Sequence, residues 1–197
     1  MISNIRCFPK GMSFDRTCST AHARICLGCR MQIDLLADRP ELASELIPGL
    51  LNQWKHIAPE QTAASRAERF RAHMNRDALP IAWIAHESGV ALGTAALRIS
   101  DIPGREDLSP WLGGVYVEPA FRGRGIASAL CQVVEAKARV LGFSRLYLFT
   151  LDRQSLYARL GWHPFETATW AGHAGDIMLK ELARPRPTRH LAIKRRL

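Results

Sequence analysis

The chain has 197 residues, 47% of them apolar and 23% charged, which suits one globular domain with length left over for tails. Its net charge is +9, yet residues 1–30 hold five basic residues against one acid and residues 183–197 hold six against none, so 31–182 sits near −1. That distribution does not imply a basic nucleic-acid groove in the folded part, and no apolar run reaches the ~20 residues of a membrane span.

Three segments are expected. Residues 1–30 form a leader, disordered or lying before the natural start, because patterned sequence begins at Met31. Residues 31–182 form the domain, and 183–197 form a basic tail rich in Pro and Arg. The leader lacks the continuous apolar stretch of a secretory signal, so a cytoplasmic location is expected. Cys7, Cys18, Cys26 and Cys29 all lie in it, and Cys26-Leu27-Gly28-Cys29 has the spacing of half a zinc site. The segment offers little to fold around, so no metal is expected.

Within the domain, Gln32 to Leu36 predicts a strand. Leu42, Leu46, Leu50 and Trp54 recur at helical spacing and predict a helix over Pro40 to Trp54, with Asp38 as its N-cap and a kink at Pro48-Gly49. Glu60 to Asn75 predicts a second, more polar helix. Ile81 to Glu87 and Val90 to Ser100 flank Ser88-Gly89 as a hairpin. After a polar loop over 101–110, Leu112 to Val117 is a strand. Ile126 to Leu141 is an amphipathic helix that Gly142 ends. Arg145 to Thr150 is a strand, Gln154 to Leu160 a short helix, and one or two strands run from Trp162 to about Leu182. This order describes a mixed α/β domain with helices packed on a central sheet.

One unit carries chemistry. The strand Val115-Tyr116-Val117 turns through Glu118 to Phe121 into Arg122-Gly123-Arg124-Gly125-Ile126-Ala127, which opens a helix directly. A helix start presents free N–H groups and partial positive charge. Glycines let the backbone approach a bulky phosphate, and Arg122 and Arg124 add charge beside it. A pyrophosphate is the natural guest. The third glycine of the dinucleotide fingerprint is replaced by Ser128, and the Gly-Lys-Ser/Thr of a P-loop is absent.

The run from Val117 to Ala127 resembles the coenzyme A signature of the GCN5-related N-acetyltransferase (GNAT) superfamily, V-x-P-x-x-R/Q-G-x-G-I-G/A. Leu156-Tyr157-Ala158-Arg159-Leu160-Gly161-Trp162 resembles that family's later L-Y-x-x-x-G-F/W motif, at the right separation. The resemblance implies a mostly antiparallel central sheet flanked by helices and acetyl-CoA as co-substrate. It also implies direct transfer of acetyl to a primary amine, on a small molecule or a peptide N-terminus. Main-chain groups of Val115, Tyr116 and Val117 would bind the pantetheine arm, provided the next strand splays away. The amides of Arg122, Gly123, Arg124, Gly125, Ile126 and Ala127, helped by the Ser128 hydroxyl, would hold the pyrophosphate. Tyr157 would give a proton to the leaving thiolate.

Two departures from the family stand out. The connection Thr150-Leu151-Asp152-Arg153 lacks the asparagine many members carry, and Trp111-Leu112-Gly113-Gly114 lacks the glutamate that histone-acetylating members use as base. Asp101, Asp107 and Glu118 are the nearby carboxylates, each read as a surface group. These gaps admit a second reading, a CoA-binding or regulatory module without catalysis. Trp83, Trp111, Trp162 and Cys131 are read as core. A monomer or homodimer is expected, with no nucleic acid, membrane or metal as partner.

Overall fold

The computed structural model describes residues 31–182; the leader with its four cysteines and the basic tail lie outside the described residues. Strands β1 (Gln32–Leu35), β2 (Ile81–Glu87), β3 (Val90–Arg98), β4 (Trp111–Val117), β5 (Arg145–Thr150), β6 (His163–Trp170) and β7 (His173–Glu181) form one sheet. Their order is β1-β2-β3-β4-β5-β7-β6, and every neighbouring pair is antiparallel except β4–β5.

Alternation along the strands builds a core on each face. Ile81, Trp83 and Ala85 of β2 face one side, where α3 (Ile126–Val140) buries Ile126, Leu130, Cys131, Val134 and Ala138. Ala82 and Ile84 face the other, against α1 (Ala43–Trp54) and α2 (Ala63–Ala72). In α1 the buried set is Ala43, Leu46, Ile47 and Leu50, the i, i+3, i+4, i+7 stripe of an amphipathic helix. A third cluster sits under the 101–110 loop, where Ile102 and Leu108 pack on Trp111, Tyr147 and Ile177. The expected core positions Trp83, Trp111, Trp162 and Cys131 are all buried.

Several boundaries differ from expectation for identifiable reasons. Asp38 does not cap a helix: it lies in a 3₁₀ turn, Leu36–Asp38, and its carboxylate accepts from Arg76 at 2.5 Å. A second 3₁₀ turn, Pro40–Leu42, precedes α1, and no side chain caps α1. The second helix starts not at Glu60 but after Thr62, whose hydroxyl accepts from the Ser65 amide at 3.1 Å while Ser65 Oγ accepts from the Thr62 amide at 2.9 Å. This is a capping box with serine in the usual Glu/Gln place. Among the described residues, no helix is long and apolar enough to cross a membrane.

Candidate active site

β4 and β5 are in register only at Trp111 and Tyr147. Beyond that pair the two strands diverge, and the β4 main chain from Leu112 to Val117 has no ladder partner on its β5 side. On its other side β4 carries a bulge: Thr94 opposes Tyr116 and Ala96 opposes Gly113, so Ala95 faces both Gly114 and Val115. Gly114 takes a left-handed φ of 61° there. A bulge bends its strand and increases local twist, which places this irregularity where the cleft opens.

The cleft leads into the turn before α3. Pro119–Phe121 forms a 3₁₀ turn, and Gly123 and Gly125 follow at φ 79° and 78°. Gly125 is the N-cap of α3, and no side chain caps that helix. Nothing lies within 4 Å of a Cβ built on either glycine, so their conformation, and not crowding, calls for glycine. First-turn amides without intrahelical acceptors, open space and exposed residues Arg122 to Gly125 together make a cradle of a kind that suits phosphate oxygens.

The arginine side chains have partners within the fold. Arg122 Nε donates to the Val117 carbonyl at 3.0 Å and its Nη2 to Gln53 at 2.9 Å, bracing the turn against β4 and α1. Arg124 pairs with Glu87 at 3.0 Å and lies 5.7 Å from the Phe121 ring. Both side chains thus tie the loop to its surroundings, beside the free amides at the start of α3. Ser128 is half-buried in the first turn of α3, as is Ala127, while Ile126 is buried in the core.

Val115 packs on the α3 side of the sheet with Val117. Tyr116 points the opposite way, into the core under α1, with its ring 6.1 Å from Trp54. Burial, then the Glu118 carboxylate it bonds, push its hydroxyl up to about 12. Only the main chain of Tyr116 is therefore available at the cleft.

Tyr157 lies in α4 (Gln154–Arg159), which follows β5 across the cleft from β4. It is 8% exposed, and its ring meets Trp162 edge-on at 6.2 Å. Burial raises its hydroxyl well above the ordinary tyrosine value, reinforced by the nearby Cys131 thiol and the Asp101 carboxylate, so it holds its proton. Where the family's asparagine is missing, Thr150 Oγ1 accepts from the Arg153 amide at 3.0 Å and turns the chain into α4. Gln154 Nε2 donates to Asp176 of β7 at 2.8 Å.

Of the three nearby carboxylates, Asp107 is exposed and pairs with Arg105 at 2.9 Å. Glu118 lies against Tyr116 and α1. Asp101 is the one enclosed beside β4: it pairs with Arg98, and its Oδ1 would stand 2.5 Å from a Cβ on Gly113.

Sequence reasoning missed a group of basic residues next to the same strand. Arg66, Arg69 and His73 project from one face of α2 and its C-terminal end, and with Arg98 they border Gly114. Their i, i+3, i+7 spacing was a readable signal, but the partner strand that completes the group is remote in sequence. It also missed Glu135, buried in α3, which accepts from Trp162 Nε1 at 3.1 Å and from Lys180 Nζ at 2.7 Å.

A splayed parallel pair, a bulged strand and a glycine-led helix start define an acyltransferase-type cleft. The family model for the acetyltransferase (GNAT) family matches residues 45–162, and the chain belongs to this family. It is 33% identical over 133 residues to N-alpha-acetyltransferase 80 of Mus musculus, covering 63% of this chain and 38% of that protein. It is 31% identical over 109 residues to the uncharacterized N-acetyltransferase YjgM of Escherichia coli K12, covering 51% and 63%. The matched stretches thus span about two fifths and just under two thirds of these relatives' own lengths.

Solved structures share the fold. An aminoglycoside 6′-N-acetyltransferase complexed with coenzyme A superposes with a TM-score of 0.62 at 20% identity, covering 79% of this chain and 99% of that one. The acetyltransferase yncA of Salmonella typhimurium with acetyl-CoA gives 0.56 at 16% identity, covering 80% and 96%.

Proposed function

We propose that this chain transfers the acetyl group of acetyl-CoA to a primary amine. The observation that carries the reading is the β4 edge, unpaired beyond Trp111 and Tyr147 and running straight into the uncapped start of α3. That arrangement supplies a strip of main-chain hydrogen-bonding groups ending in an anion cradle, the shape of an extended ligand with a pyrophosphate at one end. The coenzyme A and acetyl-CoA complexes among proteins of this fold support the same ligand here.

Acetyl-CoA supplies the activated acetyl as a thioester. Main-chain groups of Val115, Tyr116 and Val117 orient the pantetheine arm and the acetyl carbonyl. The amides from Arg122 to Ala127, with the Ser128 hydroxyl, hold the pyrophosphate. Tyr157 keeps a proton for the departing sulfur. Cys131 is no nucleophile: its thiol is enclosed and burial pushes it up to about 12, so transfer is direct from thioester to amine.

Isothermal titration of the full chain with acetyl-CoA tests this. Micromolar binding, about −8 kcal/mol, is expected, with loss of at least tenfold in Gly125→Glu, which sets a carboxylate at the helix start. Failure of the parent to bind refutes the reading.

A further inference from the structure

The core under α3 encloses a charge that the chemistry above does not use. Among the described residues Glu135 is the one buried carboxylate, 3% exposed in the same buried stripe of α3 as Cys131, Val134 and Ala138. It accepts from Trp162 Nε1 at 3.1 Å and from Lys180 Nζ at 2.7 Å, and Arg139 Nη2 stands 3.6 Å away. Lys180 also donates to the Leu160 carbonyl at 2.5 Å, and its Nζ lies 6.0 Å from the centre of the Trp162 ring.

An ion pair in an apolar core is weak evidence for stability, because apolar residues of similar volume often do as well or better. What this network holds is the end of α4. That helix has six residues, and no side chain caps its start. A helix so short does not keep its place by its own hydrogen bonds. Its last turn closes where the Leu160 and Trp162 amides donate to the Tyr157 carbonyl at 2.9 and 3.1 Å, around Gly161 at a left-handed φ of 84°. Lys180 grips that turn at the Leu160 carbonyl, and Glu135 grips it at the Trp162 indole.

Tyr157 is the side chain so fixed. Its ring meets the Trp162 ring at 6.2 Å with 68° between the planes, an edge-to-face pair. Trp162 is 1% exposed, and its N–H is spent on Glu135, so the wall behind Tyr157 has one orientation. The helix that carries Glu135 begins at the anion cradle. One network therefore ties the proposed proton donor to the element proposed to hold the pyrophosphate. Such a tie matters, because a misplacement of about 1 Å in a reacting group can cost on the order of 10²-fold in rate.

Resting on the acetyl-CoA reading and on Tyr157 as its proton donor, we infer that Glu135, acting through Trp162, is a positioning residue that aims the Tyr157 hydroxyl at the sulfur of coenzyme A.

The test needs no acceptor. The full chain is titrated calorimetrically with coenzyme A and with desulfo-coenzyme A, which lacks the sulfur, at pH 6 and pH 9. A thiol ionises near pH 8.5, so a hydroxyl donor beside the sulfur favours coenzyme A at the higher pH. The parent should prefer coenzyme A at least tenfold at pH 9 and less than about threefold at pH 6. Trp162→Phe keeps a ring but removes the N–H that reaches Glu135, which retains Lys180 and Arg139. It should cut the pH 9 preference at least threefold, with desulfo-coenzyme A affinity held within about twofold. Glu135→Met gives the same direction from the other end of the link should the first variant fold poorly. In a Tyr157→Phe background, Trp162→Phe should change the preference no further. An unchanged preference in Trp162→Phe, or the same loss persisting without the Tyr157 hydroxyl, overturns the inference. So does an equal weakening of both ligands, the mark of a merely structural role. A parent without preference at pH 9 takes Tyr157 away from the sulfur, and the inference with it. A parent that binds neither ligand refutes the coenzyme A reading itself.

Discussion

The hydroxyl of Tyr116 occupies the space into which a side chain on Gly49 would project, in the middle of α1. A Cβ there would also stand 2.7 Å from the tyrosine Cζ and 2.5 Å from Glu118 Oε1. The glycine is thus required by close approach between α1 and β4, directly behind the strand that lines the cleft.

Gly49→Ala should therefore reverse the usual sign. In a helix interior alanine is better than glycine by roughly 0.8–1 kcal/mol, but here overpacking costs about 1–3 kcal/mol. Urea unfolding should show net destabilisation, and adding Tyr116→Phe, which removes the clashing oxygen, should recover part of it. A stabilised Gly49→Ala protein would contradict the packing described.

Glu135 links the helix that opens at the cradle to the end of α4 and to β7. Its carboxylate receives Trp162 Nε1 and Lys180 Nζ, with Arg139 at 3.6 Å, and Lys180 also donates to the Leu160 carbonyl at 2.5 Å. Removing one partner of a buried pair strands the other charge at a cost of about 3–5 kcal/mol. Lys180→Met and Glu135→Met should each lose that order of stability in equilibrium unfolding. The double variant should lose clearly less than the two losses added, since it leaves neither charge unpaired; full additivity would mean the pair is not coupled.

Much of this was legible in the chain. Leu46 and Leu50 in α1, and Ile126, Leu130 and Val134 in α3, follow a 3.6 period that survives folding because each helix buries one stripe. The glycine turn before Ile126 was legible because a left-handed N-cap needs a residue type that can be read directly. The splay of β4 from β5 was legible only as a condition, since which main-chain groups go unpaired depends on strands remote in sequence. Arg66, Arg69 and His73 were not singled out in the more polar second helix, because the burial of Arg66 and His73 depends on Trp54, Arg98 and the bulge at Gly114. The partners of the Arg122 and Arg124 side chains were hidden for a similar reason: Gln53, Glu87 and the Val117 carbonyl, which they bond, lie elsewhere in the sequence.

Tyr157→Phe separates catalysis from binding. Removing a positioned acid costs on the order of 10²–10⁴ in rate, while acetyl-CoA affinity should change less than about threefold, because the cradle lies on the other side of the cleft. Since burial keeps the hydroxyl protonated well above its ordinary range, kcat should not decline between pH 7 and 10 through loss of this proton. Unchanged turnover in the variant would remove Tyr157 from the chemistry and revive the reading of a binding module.

His73 makes a pH prediction. In the folded chain its pKa is about 3, lowered by burial and by Arg98 and Arg69, against about 6.5 when unfolded. Below pH 6.5 the unfolded chain takes up a proton that the folded chain refuses. The contribution of a neutral His73 is therefore whole above that pH and drains away as pH falls toward 3. The loss approaches about 1.4 kcal/mol per pH unit, or about 2 kcal/mol between pH 7 and pH 5. His73→Gln, which cannot titrate, should lose correspondingly less over the same interval. Parallel curves for parent and variant, measured by urea unfolding at fixed ionic strength, would show that His73 titrates in the fold as it does in the unfolded chain.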